Sequence, residues 1–118
     1  MDFYDKQNKN NDTEKGHDVK YELDGQLFIW NSIKYDTNIH KHKITFEEAA
    51  TVFMNYSTEY YEDRQNSYNE ERFIALGMSK QHHLLVVCHC MRESETIIRI
   101  ISARKADKNE QKRRGREI

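Results

Sequence analysis

Proline is absent from the 118 residues, so no turn in this chain is set by a proline ring. Cysteine is nearly absent too: Cys88 and Cys90 lie two apart in one strand-like run. Neighbouring Cβ vectors on one strand face seldom meet disulfide geometry, so both thiols are expected to be free and buried. His82, His83 and His89 lie close by. A Cys-x-Cys pair in a β-branched strand nevertheless lacks the turn-like spacing of a closed zinc site, and no metal or other cofactor is expected. No long hydrophobic run exists. The longest, Leu84 to Cys88, is far too short to cross a bilayer. The opening Met-Asp-Phe-Tyr-Asp shows neither the basic nor the apolar region of a secretory signal, which makes the cytoplasm the default location. Aliphatic residues are almost missing from the first 24 positions, which carry seven acids against four lysines. Such a composition cannot bury enough apolar surface to offset ordering entropy. Residues 1–24 are therefore expected to be a disordered arm and residues 25–118 a single domain.

What is present is polarised. The net charge is −1, yet Arg99 to Arg116 holds eight Lys/Arg against two acids, which leaves the remainder at −7. A basic end of this kind commonly takes an anion, and polyphosphate backbones are the commonest. A solvated basic helix without a ligand would have the same composition.

Residues Gln26–Trp30 read as a short strand or extended lead-in, and Lys34–Lys41 as a polar surface helix. Thr45 with Glu48 three residues later has capping-box spacing, and Ile44 with Ala49 fits a hydrophobic staple. Phe46, Ala49, Ala50 and Phe53 recur at helical spacing, which predicts an amphipathic helix over Phe46–Met54 packed on a sheet. Three strands follow: Glu71–Leu76 ending at Gly77, His83–Met91 buried on both faces, and Thr96–Ala103. Short linkers between them suit antiparallel hairpins. Asn55–Asp63 reads as a fourth, edge strand. Asp107 and Glu110 repeat the capping-box spacing and open a last helix through about Arg114, with Gly115 at its C′ position. The expected fold is α+β: a small antiparallel sheet of three or four strands, preceded by two helices and followed by one.

Three blocks, in this order, resemble one family. They are Trp30-x3-Lys34-x3-Asn38-x2-Lys41-His42 leading into Ile44-x-Phe46-Glu47-Glu48-Ala49-Ala50-x-Val52-Phe53; then Glu70-Glu71-Arg72-Phe73-Ile74-Ala75-Leu76-Gly77; then Leu84-Leu85-Val86-Val87 with Arg99-Ile-Ile-Ser-Ala-Arg104-Lys105-Ala106. The chain from about Phe28 to Arg114 resembles the BrnT-type ribonuclease toxins. The resemblance implies a bacterial type II toxin–antitoxin system, a RelE-like compact fold and metal-independent RNA cleavage. It also implies a neutralising DNA-binding antitoxin, of ribbon-helix-helix type, whose complex with the toxin binds operator DNA. Three positions depart from the family pattern: Lys43 stands where the family usually has glycine, Asn31 where it has aspartate, and Asn55-Tyr56 where it has Asp-Pro.

Cutting RNA without a metal needs a base for the 2′-hydroxyl, cations for the phosphorane, an acid for the 5′-oxygen and a grip that holds the backbone in line. His42, between Lys41 and Lys43, suits the base; a helix-terminal surface histidine looks the same. Glu71 and Arg72 are sequence neighbours and so face opposite sides, Arg72 toward phosphate or Glu71 as base or orienter, or the two simply forming cross-strand ion pairs. Arg99 and Arg104 are five apart, which on a regular strand places them on opposite faces. Arg99, flanked by isoleucines, reads as a paired structural arginine that also contributes to RNA binding. Arg104, at the strand end, ranks first as the phosphate clamp because its fork grips two oxygens. Lys41 and Lys105 come next. Lys108, Lys112, Arg113 and Arg114 are expected to bind backbone or antitoxin without entering the chemistry. Tyr60, Tyr61 and Tyr68 could stack bases or be ordinary strand residues. His82, His83 and His89 read as packing or turn residues. The rival to an endoribonuclease is a non-catalytic nucleic-acid- or partner-binding module on the same scaffold; a third reading is a small structural domain whose basic helix docks an acidic partner.

Overall fold

The computed structural model describes residues 15–116. Asp24 and Gly25 have φ values of 50° and 85°, the two left-handed residues of a tight hairpin turn. They join β1 (Asp18–Leu23) to β2 (Gln26–Asn31) in an antiparallel pair. Two helices follow, α1 (Ser32–His42) and α2 (Phe46–Val52). Then come β3 (Glu59–Glu62), a single 3-10 turn at Arg64–Asn66, β4 (Phe73–Met78), β5 (Leu84–Arg92), β6 (Ile97–Lys105) and helix α3 (Lys108–Arg116).

The six strands form one sheet in the order β1-β2-β6-β5-β4-β3. Every neighbouring pair is antiparallel except β2 and β6, which run parallel. The α+β class stands, but the small three- or four-stranded antiparallel sheet does not: the sheet is mixed, has six strands, and begins with a hairpin ahead of the helices. Part of the expected disordered arm is that hairpin. Val19, Tyr21 and Leu23 alternate along β1 and pack on the core, and the Tyr21 ring lies 5.6 Å from that of Trp30. Residues 1–14 lie outside the described part. α3 continues through Gly115 to Arg116 instead of stopping before the glycine.

One face of the sheet is covered by α1 and α2. Phe28, Trp30, Ile44, Phe46, Ala49, Ala50, Val52, Leu85, Val87, Ile100 and Ala103 are buried there. Trp30 stacks on Tyr35 at 5.6 Å and meets Phe46 edge-on. The buried Asn38 amide ties α1 to the sheet: it donates to the Ile44 and Ala103 carbonyls at 2.9 and 2.8 Å and accepts from the Ala103 N–H at 2.9 Å. The hydroxyl of Thr45 caps α2 as expected, accepting from the Glu48 N–H at 3.1 Å. Glu48 does not complete the box. Its Oε2 accepts from Ser79 Oγ at 2.6 Å and pairs with His83 Nδ1 at 2.7 Å, which pins α2 to the β4–β5 turn.

Lys43 ends α1 in the left-handed region, with φ 62° and its N–H bonded to the Ile39 carbonyl at 2.9 Å. Glycine takes this conformation without steric cost; Lys43 adopts it against the steric preference of a side-chain-bearing residue. β4 continues through Gly77 to Met78, and glycine is required there because a Cβ would collide with the Thr58 hydroxyl.

The opposite face carries a smaller core of Leu76, Val86 and Ala106, with Tyr61, Ile74 and Leu84 against it. α3 lies on this side, with the Arg113 guanidinium 4.9 Å above the Tyr61 ring and Arg114 paired with Glu59 at 2.9 Å. A bulge in β6 matters for function. Ile100 faces His89 and Ser102 faces Cys88, so Ile101 has no partner on β5. The extra residue shifts the side-chain alternation, and Arg99 and Arg104 therefore share a face despite their odd spacing. Among the described residues no helix is long and apolar enough to cross a membrane.

Candidate functional site

Three arginines converge on the face of the sheet away from α2. Arg72 immediately precedes β4, Arg92 ends β5 and Arg99 lies near the start of β6. Antiparallel pairing of these strands brings the three ends together, because Phe73 lies opposite His89 and Cys90 opposite Arg99. With Lys34 from the first turn of α1, Lys15, Asn31 and Glu70, they line a cleft of about 480 Å³. Its floor is apolar, formed by Ile33, Ile100 and Ile101. Five cations thus face one carboxylate.

The internal pairing leaves donors unused. Glu70 holds Arg92 Nη1 at 2.9 Å and stands 3.6 Å from Arg72 Nε, too long for a hydrogen bond. Arg99 is bound from outside the cleft by Asp18, at 2.8 Å from Nη2. The Nε groups of Arg72 and Arg99 are buried without a hydrogen-bond partner. Buried donors are almost always satisfied, and two orphaned guanidinium N–H groups in one cationic cleft call for an acceptor with several oxygens.

A second groove of about 300 Å³ runs on along α1 and holds His42, Lys41, Thr37 and Ser102. It shares Ile33, Lys34 and Ile101 with the arginine cleft. His42 is exposed in the last turn of α1, held there by the Lys43 turn. The sequence candidates Arg72, Arg99, Lys41 and His42 therefore fall along one continuous surface.

The other candidates are elsewhere. Glu71 lines a different cavity with Phe53, Tyr60, Phe73 and His89, so Glu71 and Arg72 do face opposite ways. Arg104 shares a face with Arg99 but is gripped by α3: its Nη1 and Nη2 donate to the two oxygens of Glu110 at 2.9 Å each. The same carboxylate accepts from the Asp107 N–H at 2.7 Å, while Asp107 Oδ1 accepts from the Glu110 N–H at 2.8 Å. This capping box is complete, and the Arg104 hydrogen bonds hold the Glu110 carboxyl below its usual range. Lys105, Lys108 and Lys112 are exposed around α3, while Arg113 covers Tyr61. Sequence reasoning missed Arg92, Lys34 and Lys15. From sequence Arg92 fell in the linker after the His83–Met91 strand, and nothing local shows that it meets Arg99.

The thiols are on the cleft's side of the sheet. Burial, and then the nearby Asp63 carboxylate, pushes the Cys88 thiol up to about 11; burial raises Cys90 as well. Both are free.

A dense guanidinium cleft with orphaned donors, continuous with an exposed histidine, on a small α+β domain, has the chemistry to grip a polyanion. Residues 30–110 match the family described as the ribonuclease toxin BrnT of type II toxin–antitoxin systems, and the chain belongs to that family. It is a ribonuclease toxin, with RNA as substrate and an antitoxin as partner. The crystal structure of the Brucella abortus ribonuclease toxin BrnT is similar in fold, with a TM-score of 0.51 and 21% identity over 67% of this chain and 94% of that one. No curated protein sequence matches the chain.

Proposed function

We propose that the protein is a metal-independent endoribonuclease whose scissile phosphate sits in the Arg72–Arg92–Arg99 cleft, and that a cognate antitoxin neutralises it. The observation that carries this reading is the pair of Nε groups of Arg72 and Arg99, buried without a hydrogen-bond acceptor among five cations. A phosphorane gathers negative charge on its equatorial oxygens, and preorganised guanidinium donors stabilise that charge without a metal's help. Lys34 stands where the cleft meets the neighbouring groove, and His42 lies in that groove as general base. In this scheme the imidazole accepts the 2′-hydroxyl proton as the 2′-oxygen bonds phosphorus. The bond from phosphorus to the 5′-oxygen breaks, and the departing oxygen takes a proton from water. Lys41 steers the backbone toward His42. Lys105, Lys108 and Lys112 supply longer-range attraction, so their loss weakens binding and flattens its salt dependence. The antitoxin is read as a ribbon-helix-helix protein that carries the toxin to operator DNA.

Incubation of purified protein with RNA in EDTA tests the reading directly. Cleavage that persists in EDTA and falls on the order of 10²–10³-fold in Arg99→Ala at saturating RNA is expected. Absence of cleavage by folded protein would favour the non-catalytic binding module.

A further inference from the structure

Through the sheet from the arginine cleft lies a cavity of about 610 Å³. It exists because α2 has seven residues and stops at Val52, so the helical layer does not reach the far end of β4, β5 and β6. Its walls are apolar: Phe53, Phe73, Met91 and Ile98, with Tyr60 at the mouth and His89 at the base. Tyr60 is 53% exposed, a large side chain left at the surface although its ring meets those of Phe53 and His89. His89 adds no charge, because burial lowers its pKa.

The rim has one sign. Glu70, Glu71 and Glu95 line the cavity, and no lysine or arginine does. Glu70 is already paired with Arg92 across the wall, whereas neither Glu71 nor Glu95 has an ion pair among the described residues. Glu95 is also held in place. It closes a β5–β6 turn in which Glu93, Ser94 and Glu95 are all left-handed, at φ 51°, 56° and 68°, a conformation that side-chain-bearing residues rarely adopt in sequence. The turn is fastened by the Thr96 N–H and hydroxyl to the Glu93 carbonyl.

We infer that this acid-rimmed aromatic cavity is the docking site of the antitoxin, through a segment that presents a lysine or arginine beside aliphatic or aromatic side chains. The inference rests on the reading that an antitoxin neutralises this chain. Charge complementarity selects the occupant. A polyanion approaching Glu71 and Glu95 is repelled, and the cationic cleft on the other face is where RNA belongs. A basic, apolar segment gains both desolvated aromatic contact and two unpaired carboxylates, the composition of an interface hot spot with a charged rim.

The test measures association of immobilised antitoxin with the wild-type chain, Tyr60→Ala, Glu95→Gln and Glu95→Lys over a range of salt, with RNA cleavage by each free toxin in parallel. Tyr60 and Glu95 are exposed, and thermal midpoints verify folding. Tyr60→Ala is expected to weaken binding at least tenfold through faster dissociation. Glu95→Lys is expected to do the same through slower, less salt-dependent association, with Glu95→Gln between, while free-toxin cleavage is unchanged. Wild-type binding that all three variants retain overturns the docking site and leaves neutralisation standing. A wild-type chain that does not bind antitoxin overturns both. A change in cleavage rate or site preference at unaltered antitoxin affinity assigns the cavity to an RNA base instead. Self-association of the wild type that Tyr60→Ala abolishes assigns it to a second copy.

Discussion

Replacing Arg104 by alanine separates two readings of the same arginine. Its guanidinium makes two parallel charge-assisted bonds to Glu110, and that carboxylate simultaneously caps the first turn of α3. The Arg104 side chain is 41% exposed and that of Glu110 21%, so solvent screens the pair. Screened pairs contribute about 0.2–1 kcal/mol, and bidentate geometry with a shared cap places this one near the top of that range. A loss of about 1 kcal/mol lowers the midpoint of a domain this size by about 4–8 °C. The pH dependence has a definite sign. Glu110 titrates below its ordinary value of 4.5 in the folded chain, chiefly through its Arg104 hydrogen bonds. The stabilisation is therefore complete above pH 4.5 and is lost as pH falls through the lower folded value. Calorimetry of wild type and Arg104→Ala from pH 7 to pH 3 should give curves that converge at the acid end. Saturated cleavage at pH 7 should change little at temperatures where the variant is folded. An unaltered midpoint with a saturated rate reduced 10²–10³-fold would place Arg104 in the chemistry and refute its assignment as a strut.

Lys43→Gly should raise stability by about 1 kcal/mol, since glycine takes the left-handed C-cap without steric cost, and a denaturant midpoint that falls would show that the Lys43 ammonium bond to His40 matters more. Deleting residues 1–24 should lower the thermal midpoint by well over 10 °C or prevent folding, because it strips β1 and the Tyr21–Trp30 contact from the sheet; an intact midpoint would mean that β1 contributes nothing. Glu48→Ala should cost about 1–3 kcal/mol by leaving Ser79 and His83 without their acceptor, measured by urea unfolding. In Arg72→Ala, the saturated cleavage rate should fall far more than RNA affinity, and the reverse pattern would make Arg72 a backbone contact only.

Much of the local structure was readable because it is written in short-range chemistry. Thr45 announces α2, Asp107 and Glu110 announce α3, and the isoleucine- and valine-rich runs give β5 and β6 to within a residue or two. The first hairpin was readable as well. Asp24-Gly25 between alternating apolar residues is a strong two-residue turn signal, and the acidic composition around it masked that pattern. Other features depend on distant partners. Nothing within Gln26–Asn31 indicates parallel pairing with β6. The bulge at Ile101 cannot be read from alternation, since alternation is what it breaks, and it undoes the inference that Arg99 and Arg104 face apart. The spacing of Asp107 and Glu110 correctly gave a cap but could not show that the same glutamate occupies Arg104. The arginine cleft was half legible: Arg72 and Arg99 stood out by type, whereas Arg92 and Lys34 join them only through the sheet.

The parallel pairing of β2 with β6 couples the making of the toxin to the completion of its fold. The cleft draws Lys15 and Lys34 from the first third of the chain and Arg92 and Arg99 from the last, and they are neighbours only after β6 has inserted beside β2. Closing a loop of about seventy residues is a late, entropically expensive event, so a chain interrupted anywhere before β6 has its lysines but no cleft to share them with. On the reading that this cleft holds the scissile phosphate, partial synthesis products lack the assembled site and only the finished chain presents it.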